Sequence, residues 1–301
     1  MNVLVIGGNR FFGKHLVKLL LEKKCDVTLL NRGNLDDGFG NRVSRLKIDR
    51  RDRSALEQGT KGYSWDLIFD QVCYTADQAQ VACEILSEKT KRFVVTSSES
   101  IYDGETCLKE SDFAPASYQF VQAADPNIDY KSAKRQVETI YTTHSSVPLA
   151  LVRMSLVIGV DDYTARLKWH LDRIMNQVPI YFPNVDARLD FIKSDQAGLA
   201  MAKIGMSNHQ GPINCSSSGP LKIRDLVEIM ETACGKKAVL AASGEQENHS
   251  PYGVEHDRYM DTTQLNRIGF AGYEGQEWIR QLIFEIQNEC SQSSLETSGV
   301  F

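Results

Sequence analysis

Residues 3–13 read VLVIGGNRFFG: an apolar run enters a glycine pair, and a third glycine follows the first by six positions. That order suits a buried strand that turns sharply into a helix, and the amphipathic stretch GKHLVKLLLEKK supplies the helix. The alternation continues through DVTLLNRG, RLKID, WDLIFDQV, the helical ADQAQVACEILSEK, RFVVTSS and, at 148–159, PLALVRMSLVIG. Short apolar runs between longer segments of 3.6 period predict β-α-β units around a buried parallel sheet.

From about residue 160 the texture is mixed. TARLKWHLDRIMNQ, IRDLVEIMETAC and GQEWIRQLIFEIQ read as helices, DFIKS and GPINCSS as short strands, and SQSSLETSGVF as a polar, frayed end. The fold class expected is α/β: a doubly wound Rossmann sheet over 1–160 and a smaller C-terminal α/β substrate-binding lobe over 161–290. The lobe has room for a strand or helix returning to the first domain, and 291–301 form a tail. A chain of 301 residues can bury one large core with such a lobe attached.

The bulk properties exclude several classes. No stretch approaches the ~20 apolar residues that span a bilayer, and Met-Asn-Val-Leu-Val-Ile carries no charged leader, so no signal peptide is expected. Seven cysteines are scattered without a Cys-x-x-Cys pair. They read as reduced thiols in a cytoplasm, not a disulfide frame, and no cluster has metal-ligand spacing. Net charge is −5 with no long basic run, which weighs against nucleic acid as a partner.

Gly7 and Gly13 bracket Asn9, Arg10, Phe11 and Phe12 between a predicted strand and a predicted helix. The first glycine permits the turn, the last lets helix pack on strand, and backbone N–H groups at the helix start face a pyrophosphate. Arg10 stands where a glycine is usual. The second strand ends in Asn31-Arg32, not in the acid that would accept a hydrogen bond from an NAD ribose. Arginine donors suit a 2′-phosphate, so Arg10 and Arg32 together read as NADP, with NAD less favoured. Asp49, ending RLKID, is expected at the adenine amino group; a solvated strand-end acid is the alternative.

In DYKSAK, Tyr130 and Lys134 are four apart at the start of a predicted helix, which puts both on one face. A phenol of pKa about 10 is a poor acid–base group near neutrality. A neighbouring ammonium and a positive nicotinamide would favour its phenolate. Ser98, ending the strand of VVTSSESIY, can donate to the substrate oxygen on which Tyr130 acts. The bland alternative is a surface helix with a capping serine.

Taken with IDRRD, LVRMSLVIG, DFIKSDQAGLA and MDTTQLNRIGF, these motifs resemble the extended short-chain dehydrogenase/reductases of the NAD-dependent epimerase/dehydratase family. The likeness covers nearly the whole length. Its arginine-bearing loop is most similar to an atypical branch that includes chloroplast stem-loop RNA-binding proteins. The resemblance implies a Ser98, Tyr130, Lys134 triad and a substrate cleft between the lobes. It puts Cys73 and Tyr74 along the cofactor ribose, and Arg50 and Thr96 are grouped with these cofactor contacts. It also implies a homodimer through the fourth and fifth helices.

Three positions depart from the family pattern: Arg153-Met154-Ser155 after the sixth strand, Glu99-Ser100 where dehydratases carry Asp-Glu, and Leu189 beside Arg188 before DFIKS. Arg166, His170 and Arg173 are read as a solvated helix face or an anion site. His256, Asp257 and Arg258 are read as a surface loop or a part of the cleft. The function expected is hydride transfer at a carbonyl or alcohol carbon of a small, sugar-like substrate, in a reductase. A sugar or nucleotide-sugar epimerase, and a non-catalytic cofactor- or RNA-binding protein, are the alternatives.

Overall fold

The computed structural model describes residues 1–104, 106–121, 127–217 and 219–298, with side chains described as far as residue 288. The first half alternates strand and helix as the periodicity requires: β1 (Asn2–Ile6), α1 (Phe11–Glu22), β2 (Asp26–Asn31), β3 (Ser44–Lys47), α2 (Arg53–Gly59), β4 (Leu67–Asp70), α3 (Ala76–Leu86), β5 (Phe93–Ser98), α4 (Tyr130–His144) and β6 (Leu149–Met154). The second half comprises β7 (Leu156–Ile158), α5 (Arg166–Met175), β8 (Arg188–Leu189), β9 (Phe191–Lys193), α6 (Ser194–Met206), β10 (Gly211–Cys215), β11 (Leu221–Lys222), α7 (Ile223–Cys234), α8 (Thr263–Arg267) and α9 (Glu277–Ser298).

Seven strands form one sheet in the order β10-β6-β5-β4-β1-β2-β3, every pairing parallel. The order reverses between β1 and β4, which opens a crevice at their carboxyl ends where ligands bind in such sheets. Helices cover both faces. One apolar layer joins α1 and α6 to the sheet through Leu16, Val17, Ala197 and Met201. The other joins α3 and α4 through Ala79, Cys83, Val137 and Ile140. A third cluster, built on α5, α7 and α9, sits beside the sheet.

The segment read as one strand over 148–159 is two. β6 stays in the large sheet, Ser155 donates its N–H to the Cys215 carbonyl at 3.0 Å, and β7 leaves to pair with β9. GPINCSS supplies β10, which returns to the edge of the large sheet. α9 runs to Ser298, into the stretch read as a frayed tail. The described cysteines are all free thiols, and no helix among the described residues is long and apolar enough to cross a membrane.

Arg153 on β6 is fully buried, and its guanidinium meets the fully buried Glu138 of α4 through Nε at 3.1 Å and Nη2 at 2.7 Å. Tyr102 Oη and the carbonyls of Glu110 and Phe113 take its remaining donors. Arg153 is therefore an internal brace that fixes α4 against the sheet. Truncating one partner leaves a buried charge uncompensated, so Glu138→Ala should cost about 3–5 kcal/mol. Equilibrium denaturation measures this directly.

Candidate active site

At the end of β1 the chain turns through Gly7 (φ +101°), whose N–H donates to the Leu30 carbonyl at 2.9 Å. A side chain at Gly13 would lie 2.4 Å from Gln71 Oε1 and 3.1 Å from the Gly8 backbone, so α1 begins in contact with the turn. Arg10 fits the usual glycine position because its backbone is extended (φ −157°, ψ 166°), a conformation open to any residue. The unusual backbone is at the next residue: Phe11 has φ +53°, costly for an aromatic side chain by roughly 1–2 kcal/mol. Burial of its ring edge-on to Phe12 and Tyr163 offsets that strain. The Arg10 guanidinium lies 3.5 Å from the centre of the Tyr163 ring.

A cavity of about 540 Å³ opens beside this loop, lined among others by Asn9, Arg10, Asn31, Arg32, Asp49 and Tyr74. Asn31 folds its carboxamide oxygen onto the Gly33 N–H at 2.8 Å, and Arg32 stays exposed on the rim. Asp49 is gripped by both arms of the Arg51 guanidinium, which hold its carboxyl down at about 2. Arg50 is committed elsewhere. It is buried and donates to Asp70 Oδ1 and, at 3.1 Å, to the Gln78 carbonyl. Asp70 also accepts from Tyr141 Oη, which makes Arg50 part of the floor of the cavity.

Asp129 caps α4 by accepting from the Ser132 N–H at 2.9 Å, which sets Tyr130 as the first helical residue. Ser98, where β5 enters a short 3₁₀ turn, accepts from the Ser100 N–H at 3.2 Å and lies close enough to Tyr130 to favour its phenolate. Lys134 is buried one turn on and donates to the carbonyls of Cys73 at 2.9 Å and Thr96 at 2.7 Å. Desolvation lowers its pKa.

The ammonium therefore faces backbone oxygen. Tyr130 has a raised pKa, chiefly by desolvation, with Ser98 and Arg166 opposing. Cys73 is a buried thiol pushed up to about 12 by its surroundings, and it contributes its carbonyl to the site. Tyr74 is half exposed, with its ring 5.5 Å from Lys134 Nζ.

Of the residues weighed on α5, His170 is neither solvated nor an anion ligand. It is fully buried, stacked on Tyr252 at 4.7 Å, and hydrogen-bonded to the Arg166 carbonyl and Ser250 Oγ. Burial holds its pKa down at about 4, so the ring is neutral. Arg173 caps the Pro179 carbonyl and covers Trp169. Asp257 accepts from the Arg188 N–H, while Arg258 reaches the Glu99 carbonyl at 2.8 Å.

Sequence reading missed Tyr163 and the Glu99–Asp190 contact. An acid inside the apolar run LDFI was the available signal for the second.

The family model for the NAD dependent epimerase/dehydratase family matches residues 3–214. The chain belongs to that family. Its fold is similar to that of the UDP-glucose 4-epimerase of Thermus thermophilus in complex with NAD, with a TM-score of 0.71, 16% identity, 96% of this chain and 99% of that one. It is also similar to the Thermotoga maritima UDP-glucose 4-epimerase with UDP-glucose, with a TM-score of 0.74, 15% identity, 98% of this chain and 100% of that one. A curated relative, the chloroplast stem-loop binding protein of 41 kDa b of Arabidopsis thaliana, is 25% identical over 195 residues. That alignment covers 60% of this chain and 49% of the relative, so the chain spans about half the relative's length.

Within this epimerase/dehydratase chain, Lys134 is the pin between α4 and two strand ends. Lys134→Met strips the donor from two buried carbonyls, each worth about 1–3 kcal/mol when left unpaired. Loss of the desolvation cost of the ammonium offsets part of this. Denaturant titration should show a net loss of stability, and calorimetry a loss of cofactor affinity.

Proposed function

We propose that this chain is an NADP-linked oxidoreductase acting on a carbonyl or hydroxyl carbon of a small, sugar-like substrate, with Tyr130 as proton donor and acceptor. The meeting of Ser98, at the end of β5, with Tyr130, the first residue of α4, beside the buried Lys134 carries the reading. Tyr130 moves the proton at its Oη, Ser98 holds the substrate oxygen, and Lys134 fixes the helix that carries the phenol. The cavity would take the adenosine end of a dinucleotide. Gly7, Gly13 and the first turn of α1 would hold the pyrophosphate, Asp49 the adenine, and Arg32 the 2′-phosphate. When bound, the cofactor supplies the hydride carrier and, oxidised, a positive charge that favours the phenolate. Arg10, stacked on Tyr163, would reach a 2′-phosphate only by leaving that ring.

A second reading, favoured by the family and the named structural neighbours, is a nucleotide-sugar epimerase that retains its cofactor and returns the hydride. The two differ in stoichiometry: a reductase consumes NADPH with each turnover, and an epimerase converts substrate with no net change at the nicotinamide absorbance. A non-catalytic RNA-binding role fits poorly with a net charge of −5.

Tyr130→Phe should retain fold and cofactor while turnover falls by roughly 10²–10⁴-fold; a Phe variant with undiminished turnover of a confirmed substrate would refute the assignment. Calorimetry should show NADPH binding more tightly than NADH, and Arg32→Asp reversing that order. Equal affinities in the unmodified chain would remove the NADP reading.

A further inference from the structure

Glu99 follows Ser98 directly and is buried in the 3₁₀ turn that ends β5. Asp190 is buried between β8 and β9, far away in sequence, and the two carboxyl groups meet. Asp190 Oδ2 accepts from the Met260 N–H at 3.1 Å, and Ser216 reaches the same carboxyl. Glu99 Oε2 and Asp190 Oδ1 have no donor among the described residues. Two carboxylates in contact cannot both ionise cheaply, and a single proton shared between them supplies the donor that both oxygens lack.

The charged and titratable groups acting on the pair come from three further elements. They are Arg258 in the segment after α7, Arg166 on α5, and the Cys215 thiol at the end of β10. Arg258 also donates to the main-chain carbonyl of Glu99, and its own N–H donates to the Arg188 carbonyl at 2.7 Å. The turn that begins at Ser98 is thus tied to β8, β9 and the 258–260 segment by one acid pair and one arginine.

We propose that Glu99 and Asp190 are positioning residues that share one proton, clamp the β8–β9 and 258–260 segments onto the end of β5, and thereby hold Ser98 against Tyr130. The catalytic half of this statement rests on the function proposed above; the clamp does not. Burial raises both carboxyl pKa values, and repulsion by Asp190 raises that of Glu99 further. The folded chain then keeps a proton that the unfolded chain releases above the ordinary carboxylate range of about 4. Stability from the pair is full below that range and is lost as pH rises toward the folded pKa. His170 acts in the opposite sense between about 4 and 6.5, because its pKa is lowered on folding. Its contribution cancels when a variant is compared with the unmodified chain at each pH.

The test is melting temperature from pH 5 to 9 for the unmodified chain, Glu99→Gln, and the double variant Glu99→Gln/Asp190→Asn. Each amide keeps the hydrogen bond and removes the shared proton. Relative to the unmodified chain, both variants should gain on the order of 2–4 °C per pH unit until the folded pKa is passed. A pH-independent difference would overturn the clamp. Infrared spectroscopy at neutral pH should find a protonated carboxyl band that Glu99→Gln removes, and absence of that band in the unmodified chain would overturn it equally. With a confirmed substrate, the unmodified chain should lose turnover on the alkaline side and Glu99→Gln should lose this limb; an unchanged profile would refute the positioning role. A fully active Tyr130→Phe variant would remove the catalytic reading while leaving the melting and infrared results standing, so the two claims fail separately.

Discussion

One buried ammonium organises the site. Lys134 Nζ sits between the carbonyl of Cys73, just past β4, and that of Thr96 in β5, two neighbouring strands of the sheet. Taking the charge out of water is costly, which is why its pKa is lowered, and the two short hydrogen bonds offset that cost. Because β1 lies beside β4, the same ion fixes the distance from α4 to the glycine turn. Tyr130, one helical turn earlier, then meets Ser98. Arg153 and Glu138 brace the same face of the helix one turn further on.

The layout of the sheet was legible in the sequence because its information is periodic. Apolar runs of strand length, separated by amphipathic segments, prescribe the parallel order, and the glycine loop marks the cofactor edge. Ser98 and Tyr130 were placed by the same logic, as a strand end and a helix start that share one edge of the sheet. What escaped reading has a common cause: the partners are set by tertiary contact. Lys134 bonds to backbone carbonyls, which carry no residue signature. His170 lies on an amphipathic helix whose polar side is covered by Tyr252 and Ser250, residues 80 or more positions away. Arg50, beside Asp49 in sequence, turns inward to Asp70, a carboxylate that also accepts from Tyr141 Oη.

The arginine in the glycine loop shows how a local rule bends. The position needs an extended backbone, which arginine can adopt, and the left-handed conformation passes to Phe11, held by aromatic burial. The loop thereby presents a guanidinium to Tyr163 at the mouth of the cavity, a feature that a glycine could not supply.

The central claim is that glycine loop, Lys134 pin and Ser98–Tyr130 pair make up one cofactor site. Hydrogen exchange with saturating NADPH measures this most directly, because it reads every backbone N–H without needing a substrate. Protection should rise together at residues 7–13, 31–33, 72–74, 96–98 and 130–134 and leave α7 unchanged. Bound NADPH that protects the glycine loop but leaves 96–98 and 130–134 unchanged would contradict the account.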